Sequence, residues 1–471
     1  MRSGSLLLRN SAWQMLALLA RKGCLALLFI LIARLAGPDS LGKYVFAYSV
    51  ISVATLLSAF GLSPLSIRET ARLPEQASPG FMNVLLLRLL LSVVAVACVE
   101  FFLHLSAVPS DTRLVVVVMA IAIVPGTVID QIQTVFSGLQ QMEYVAITSL
   151  VQWLVVVLLS AYSLSRFRNL WMISAAQVVG FTVGMVIAGW FLMSNFFVPK
   201  FKVDLSIWTK FLREAAPLAI QAFFGILYFR VGTIMLSLMT GDAAVGWFGS
   251  AFHINEALQL IPMSIAAALL PQVSAGSDVS AVRKIAWPVL KYNLIAALPI
   301  SMGISLLAPQ IVVLVYGNSF SQSAIVLRIT IWALVPIFLN FVMGTLFIAI
   351  GRQKIVAMNA IACCVLSVPL NYLLIRKASY VGASVATICT ESLLLLLNYY
   401  FIRRYVGGLH LGRIVAGPVL ATLVMGAISF WLQRVSGLVI VILVSASVYV
   451  ISLFAFRSVS WKEFAALRSA D

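Results

Sequence analysis

The feature that most constrains this chain is a succession of fourteen apolar runs, each longer than 20 residues, extending from residue 12 to residue 457. About 20 helical residues cross the hydrocarbon of a bilayer. No water is available there to satisfy backbone N–H and C=O groups, so a spanning chain must be helical or close into a barrel. Barrel strands are half as long and alternate in polarity, which these runs do not. The expected fold is therefore all-α, with about fourteen transmembrane helices. Of the 471 residues 62% are hydrophobic and only 10% are charged, against about 25% charged in soluble domains. A soluble enzyme, a disordered chain and a secreted disulfide scaffold are excluded. The five cysteines, Cys24, Cys98, Cys363, Cys364 and Cys389, all lie inside apolar runs and read as packing residues.

A net charge of +17 would suggest nucleic acid in a soluble protein. Here the basic residues lie mainly between the runs, where they set topology and meet anionic lipid; no nucleic-acid partner is expected. An even helix count puts both ends on one side. That side carries nineteen Lys and Arg, from Arg2 and Arg9 to Lys462 and Arg468; the other carries eight, among them Arg34, Lys43 and Arg113. The bias predicts cytoplasmic termini.

The basic loop around residues 196–210 separates two halves. Residues 1–196 are expected to form a lobe of six helices, 197–404 a second lobe of six around a shared central cavity, and 405–471 two further helices and a cytoplasmic tail. The halves share a pattern: GPDSLGKYVFAYSV (37–50) matches TGDAAVGWFGSAFHI (240–254) at an offset of 204, pairing Gly37 with Gly241 and Gly42 with Gly246. A second pair, GLQQMEYVAI (138–147) and GRQKIVAM (351–358), follows the fourth and tenth runs with a small gap. Such repeats are expected of transporters whose bundles rock about a central site.

Catalytic motifs fail on inspection. Gly37 to Lys43 has the skeleton of a phosphate loop, but Tyr44 stands where the magnesium-binding Ser or Thr belongs. His104, His253 and His410 form no metal motif, and no cofactor is expected. The informative residues are charges inside the runs, each costing about 2.5–3.5 kcal/mol at a helix centre on the insertion scale. Asn10, Gln14, Ala17 and Arg21 follow helical spacing, and Lys22 lies about 100° around from Arg21. Arg230 lies deep in the seventh run and Arg328 near the start of the tenth. Together they predict a cationic cavity fit for an anionic head group, because guanidinium pairs with phosphate in a bidentate way. Arg88, near the cytoplasmic end of the third run, reads as an interface residue. The acids within the runs are Asp130, Glu256 and Glu391. Each is a candidate for carrying a coupling proton or cation, or for neutralising a neighbouring base.

The stretches ARLAGPDSLGKYVFAYS (33–49), GLSPLSIRETAR (61–72), SGLQQMEYVAI (137–147), 212–252 and ALLPQVSA (268–275) occur in an order and spacing that resembles the Wzx-type polysaccharide flippases of the multidrug/oligosaccharidyl-lipid/polysaccharide exporter superfamily. The resemblance implies two six-helix lobes plus two trailing helices. It also implies translocation of an undecaprenyl-pyrophosphate-linked oligosaccharide across a bacterial inner membrane, with glycan polymerase machinery as a partner. Family members often carry an acid after the Arg-Val pair of the seventh helix; here Gly232 follows Arg230 and Val231. Two rival readings are a drug/cation antiporter of the same superfamily, which needs an acidic cavity, and a membrane glycan polymerase or ligase, which needs a large exterior loop.

Overall fold

The computed structural model describes residues 2–73, 75, 77–167, 169–201, 203–274, 279–407 and 411–458. Arg168, Lys202, the tail 459–471 and the last residue of the 268–275 stretch lie outside the described residues. The helices are α1 (Arg2–Ala59), α2 (Leu62–Arg72), α3 (Ala77–Leu105), α4 (Ser110–Ile121), α5 (Ile123–Gly138), α6 (Met142–Arg166), α7 (Leu170–Asn195) and α8 (Leu205–Thr240). They continue as α9 (Asp242–Leu258), α10 (Leu260–Ser274), α11 (Val279–Tyr316), α12 (Ser323–Thr330), α13 (Leu334–Ala349), α14 (Gln353–Tyr405), α15 (Leu411–Leu432) and α16 (Leu438–Ala455).

Among the described residues eleven stretches are long and apolar enough to cross a membrane. The count reconciles with fourteen runs through local backbone breaks. α1 is interrupted at Gly37 (φ 82°), and α14 at Ala378 and Ser379 (φ 49°), so each makes two crossings. α9 and α10, of 17 and 15 residues, are parted only by Gln259 and make one crossing between them. Gly37-Pro38 shows the mechanism of such a break. Glycine takes the left-handed φ that ends one helix, and proline, with no N–H to leave unpaired, begins the next.

By contact the chain forms two compact units, Met1–Gly249 and Ser250–Asp471. In the first, α1 packs against α3, α6 and α8, over cores built from Phe81, Ile129, Phe136 and Leu192 and from Leu62, Leu87 and Ala215. α7 seats on α6 at Gly180, where a Cβ would strike the Gln152 carbonyl, and at Gly184, where it would strike Ile129 and Gln152 side chains. In the second unit, α11 and α13 share a core including Leu290, Leu294, Met343 and Phe347. α15 and α16 close on α11 through Tyr449, whose hydroxyl donates to the Ile295 carbonyl at 2.8 Å.

The backbone carries the internal repeat in detail. Gly37 (φ 82°) and Gly241 (φ 100°) adopt the same conformation, each immediately before a helix start. In the first unit those two helix starts touch. A Cβ on Gly42 would fall inside the Asp242 carbonyl, and one on Gly246 inside the Pro38 carbonyl. At the offset of 204, Pro38 corresponds to Asp242 and Gly42 to Gly246. The contact is therefore reciprocal, as across a two-fold axis. The backbone fixes where the gap in the second repeat falls. Gln140 (φ 59°) and Gly351 (φ 68°) hold equivalent places. Gln141 N–H donates to the Phe136 carbonyl at 2.8 Å, and Arg352 N–H to that of Phe347 at 2.7 Å. The helix-ending turn thus pairs Gln140, not Gly138, with Gly351. Gly138 is glycine for another reason: a Cβ there would strike Thr70.

Two substitutions separate this contact from ordinary glycine behaviour. Gly42→Ala is expected to destabilise the detergent-solubilised protein by about 1–3 kcal/mol through overpacking. Gly23→Ala, with open space around its Cβ, is expected to be neutral or to stabilise by up to about 1 kcal/mol. Thermal unfolding of the two variants measures the difference.

Candidate functional site

α1 carries three of the residues singled out from sequence. Gln14 and Arg21 are exposed on one face two turns apart, and Lys22 beside them is half-buried. Eight residues beyond Arg21, roughly 12 Å along the helix, Phe29 meets the edges of Tyr44 (5.6 Å) and Tyr48 (6.0 Å). The half-buried Arg230 of α8 lays its guanidinium over the Tyr48 ring at 5.2 Å. That cation–π contact ties the charge of α8 to the aromatic group of α1. Tyr44 fixes the aromatic group from behind, donating to Gln177 Oε1 at 3.1 Å. The structure thus joins Arg230 to the second half of α1. Gln14, Arg21 and Lys22 lie on the first half.

Arg88 is not the interface residue its sequence position suggests. Its side chain is 2% exposed, and it holds Asp130 Oδ2 at 2.5 Å. A second N–H group donates to Gln131 Oε1 at 3.0 Å, and Gln131 in turn donates to Ser66 at 3.1 Å. Ser63 donates to the same Asp130 oxygen at 3.3 Å. Among the described residues Arg88 Nε has no partner. α2, α3 and α5 are thereby tied by one buried guanidinium. Asp130 therefore enters the site as the counter-charge of Arg88. A signal for the pair was present: Arg88 lies a few residues into the third run and Asp130 a few before the end of the antiparallel fourth, which puts them at one depth.

In the second unit Glu391 is 3% exposed and accepts from Asn340 Nδ2 at 3.2 Å. Asn398 donates to Asn340 Oδ1 at 3.1 Å, and Asn359 to Asn398 Oδ1 at 2.9 Å. Three carboxamides on α13 and both halves of α14 thus lead in file to one carboxylate. Composition gave no signal for this chain; only the pairing of Glu391 with Asn398 two turns on was visible. Glu256 takes His253 Nδ1 at 2.7 Å on the same helix. Arg328 is exposed on α12, and its main-chain carbonyl accepts from Ser305 at 3.2 Å.

Polar ties also flank the reciprocal glycine contact. Lys43 pairs with Asp111, and Thr112 donates to Asp242 at 3.0 Å. Elsewhere in the first unit, Arg68 of α2 pairs with Glu214 of α8 at 2.7 Å. Among the described residues no group of three or more His, Cys, Asp or Glu is placed to hold a metal ion.

Helices broken at glycine, repeated in two sets and carrying charge within their spans, define a multi-pass membrane transporter. Residues 7–277 match the polysaccharide biosynthesis protein family and residues 217–373 the MatE family. The chain belongs to the polysaccharide biosynthesis protein family. It is 23% identical to an uncharacterised membrane protein of Methanocaldococcus jannaschii, over 84% of this chain and 98% of that one. It is 21% identical to a putative O-antigen transporter of Shigella dysenteriae, over 74% and 88%. A probable low-salt glycan biosynthesis flippase of Haloferax volcanii matches at 20% over 45% of this chain and 46% of that one. In fold the chain is similar to the lipid II flippase MurJ in an inward closed conformation, with TM-score 0.78, 14% identity and coverage of 95% and 99%. An inward-facing multidrug MATE transporter gives TM-score 0.67 at 14% identity, covering 84% and 98%.

The Arg88–Asp130 pair is testable by a double-mutant cycle. Asp130→Leu alone leaves the buried guanidinium with Gln131 but no counter-charge; because Asp130 is itself 53% exposed, the expected cost is about 3 kcal/mol, the low end for a buried pair. Arg88→Leu combined with Asp130→Leu is expected to recover about 1–3 kcal/mol of that loss. Simple additivity in thermal unfolding would show that the pair is not coupled.

Proposed function

We propose that the protein translocates an undecaprenyl-pyrophosphate-linked oligosaccharide across the bacterial inner membrane by alternating access, supplying surface polysaccharide synthesis such as O-antigen or exopolysaccharide. The observation that carries this reading is the polarity of α1 and α8: Arg21, Lys22 and Arg230 put positive charge within spans, and Arg21 stands exposed where burying a cation in hydrocarbon is costly. A pyrophosphate offsets that cost through charge-assisted hydrogen bonds. A transporter of cationic drugs needs the opposite polarity along these helices, and the match to the MatE family is therefore read as shared fold. In the proposed division, helices 1–6 (1–196) and 7–12 (197–404) are two lobes around the cavity, with helices 13–14 and the tail (405–471) appended and both termini cytoplasmic.

Within this scheme Arg21, Lys22 and Arg230 contact the pyrophosphate or acidic sugars, with Gln14 and Arg328 as further substrate contacts. Glu256 and Glu391 are the stronger coupling candidates, because Asp130 already neutralises Arg88. The reciprocal contact of Gly42 and Gly246 closes one end of the pathway: backbone-to-backbone packing without side chains can part and re-form with few rotamers to reorder. The glycan is built and polymerised by other proteins, since the connections between helices are too short to hold a catalytic domain.

The test is glycan display in a deletion strain, normalised to protein in the membrane. Arg21→Ala is expected to abolish display and Arg21→Lys to retain part of it, because lysine keeps the charge but loses the planar fork. Full display by Arg21→Ala would remove Arg21 from the head-group site.

A further inference from the structure

The turn between α7 and α8 is built in an unusual way. Its first residues face inward: Phe196 packs on Phe136 and Tyr144, and Phe197 on Phe81. Two buried polar side chains at the start of α3 then hold its backbone. Ser78 Oγ donates to the Val198 carbonyl at 3.1 Å and accepts from Lys200 N–H at 3.0 Å. Asn83 Oδ1 accepts from Asp204 N–H at 2.7 Å, and Asp204 itself caps α8 through Ser206 N–H at 2.9 Å. A segment anchored this firmly would be expected to fold its apolar side chains inward. It does the reverse: Val198 is 67% exposed, Phe201 76%, Val203 45% and Leu205 65%. From Phe201 to Leu205 every second residue is apolar and outward.

The surroundings are basic. Lys200, Lys210, Arg213 and Arg72 are all exposed. Lys210 and Arg72 lie close to Glu214, whose carboxylate is already taken by Arg68. An outward apolar edge rimmed by exposed cations matches the layered chemistry of a membrane surface, where acyl chains lie beneath phosphates. The segment lies between the spans that end at Asn195 and begin at Leu205, the level at which head groups are found. Lysine stems also cover apolar surface while their ammonium groups reach outward.

We propose that this turn is an interfacial anchor for anionic phospholipid. Val198, Phe201, Val203 and Leu205 insert at the acyl-chain boundary, and Lys200 and Lys210 bind the phosphates of the leaflet on their side. The hydrogen bonds from Ser78 and Asn83 fix the depth of α3 and α8 relative to that leaflet. The anchor stands apart from the substrate reading, because it rests on different residues and would serve any cargo.

The full-length protein, with its five native cysteines replaced and Phe201→Cys spin-labelled, is placed in nanodiscs of phosphatidylcholine with or without phosphatidylglycerol. Collision rates with oxygen, which partitions into lipid, and with a water-soluble nickel chelate report the depth of the label. Oxygen is expected to dominate several-fold, phosphatidylglycerol to raise that ratio, and Lys200→Glu with Lys210→Glu to abolish the rise without changing the melting temperature. A label reached mainly by the nickel chelate in both lipids would overturn the anchor. A ratio indifferent to phosphatidylglycerol would overturn its anionic selectivity. A label shielded from both reagents only in native membranes would assign the edge to a protein partner instead.

Discussion

The architecture of the first unit turns on one steric fact: Gly42 and Gly246 let two helix starts meet backbone to backbone. Any side chain at either place would hold the two segments apart. Because Gly42 meets the carbonyl of Asp242 and Gly246 that of Pro38, the contact has the symmetry of the repeat that produces it. The left-handed turns at Gly37 and Gly241 aim the two helices at one another, and Lys43–Asp111 and Thr112–Asp242 frame the junction with groups that are not apolar. A junction of this kind combines close fit with little side-chain entropy to lose or regain. That is the property a two-state transporter needs at an end that must open and close.

The charges obey a second rule. Within an apolar bundle an ion persists when it is paired or has a ligand to meet. Arg88 and Asp130 satisfy the first condition within α3 and α5, with Gln131, Ser66 and Ser63 completing the shell. Glu391 is met by a file of asparagines. Arg230 is steadied by the Tyr48 ring. Arg21 stands exposed on α1 with Gln14 along the same face, in contrast to the enclosed Arg88, and the proposed head-group role of Arg21 rests on that contrast.

The helical class and the number of crossings were legible in the sequence because hydrocarbon permits no other backbone. The repeat was legible for the same reason that it is structural: Gly37, Gly42, Gly241 and Gly246 are fixed by φ and by close approach, which no other residue tolerates. The second repeat was legible only to within a small gap, since the left-handed position is filled by Gln140 in one half and Gly351 in the other, and the hydrogen bonds from Gln141 and Arg352 set the register. The burial of Arg88 was not legible because distance from a run's end is a poor measure of burial. Its partner Asp130 at equal depth on the next helix was the better guide. The file Asn359–Asn398–Asn340 was invisible because asparagine carries no charge, and its meaning depends on which helices are neighbours.

The claim that the glycine junction opens and closes during transport is tested most directly by a distance measurement across it. Spin labels at Asp39→Cys and Ala243→Cys, in the full-length protein in nanodiscs, report the separation of the two helix starts by double electron–electron resonance. Adding lipid-linked oligosaccharide is predicted to draw a second, longer distance out of a short one, and Gly42→Val to populate the longer distance without substrate. A single short distance, unchanged by substrate and by Gly42→Val, would contradict the account.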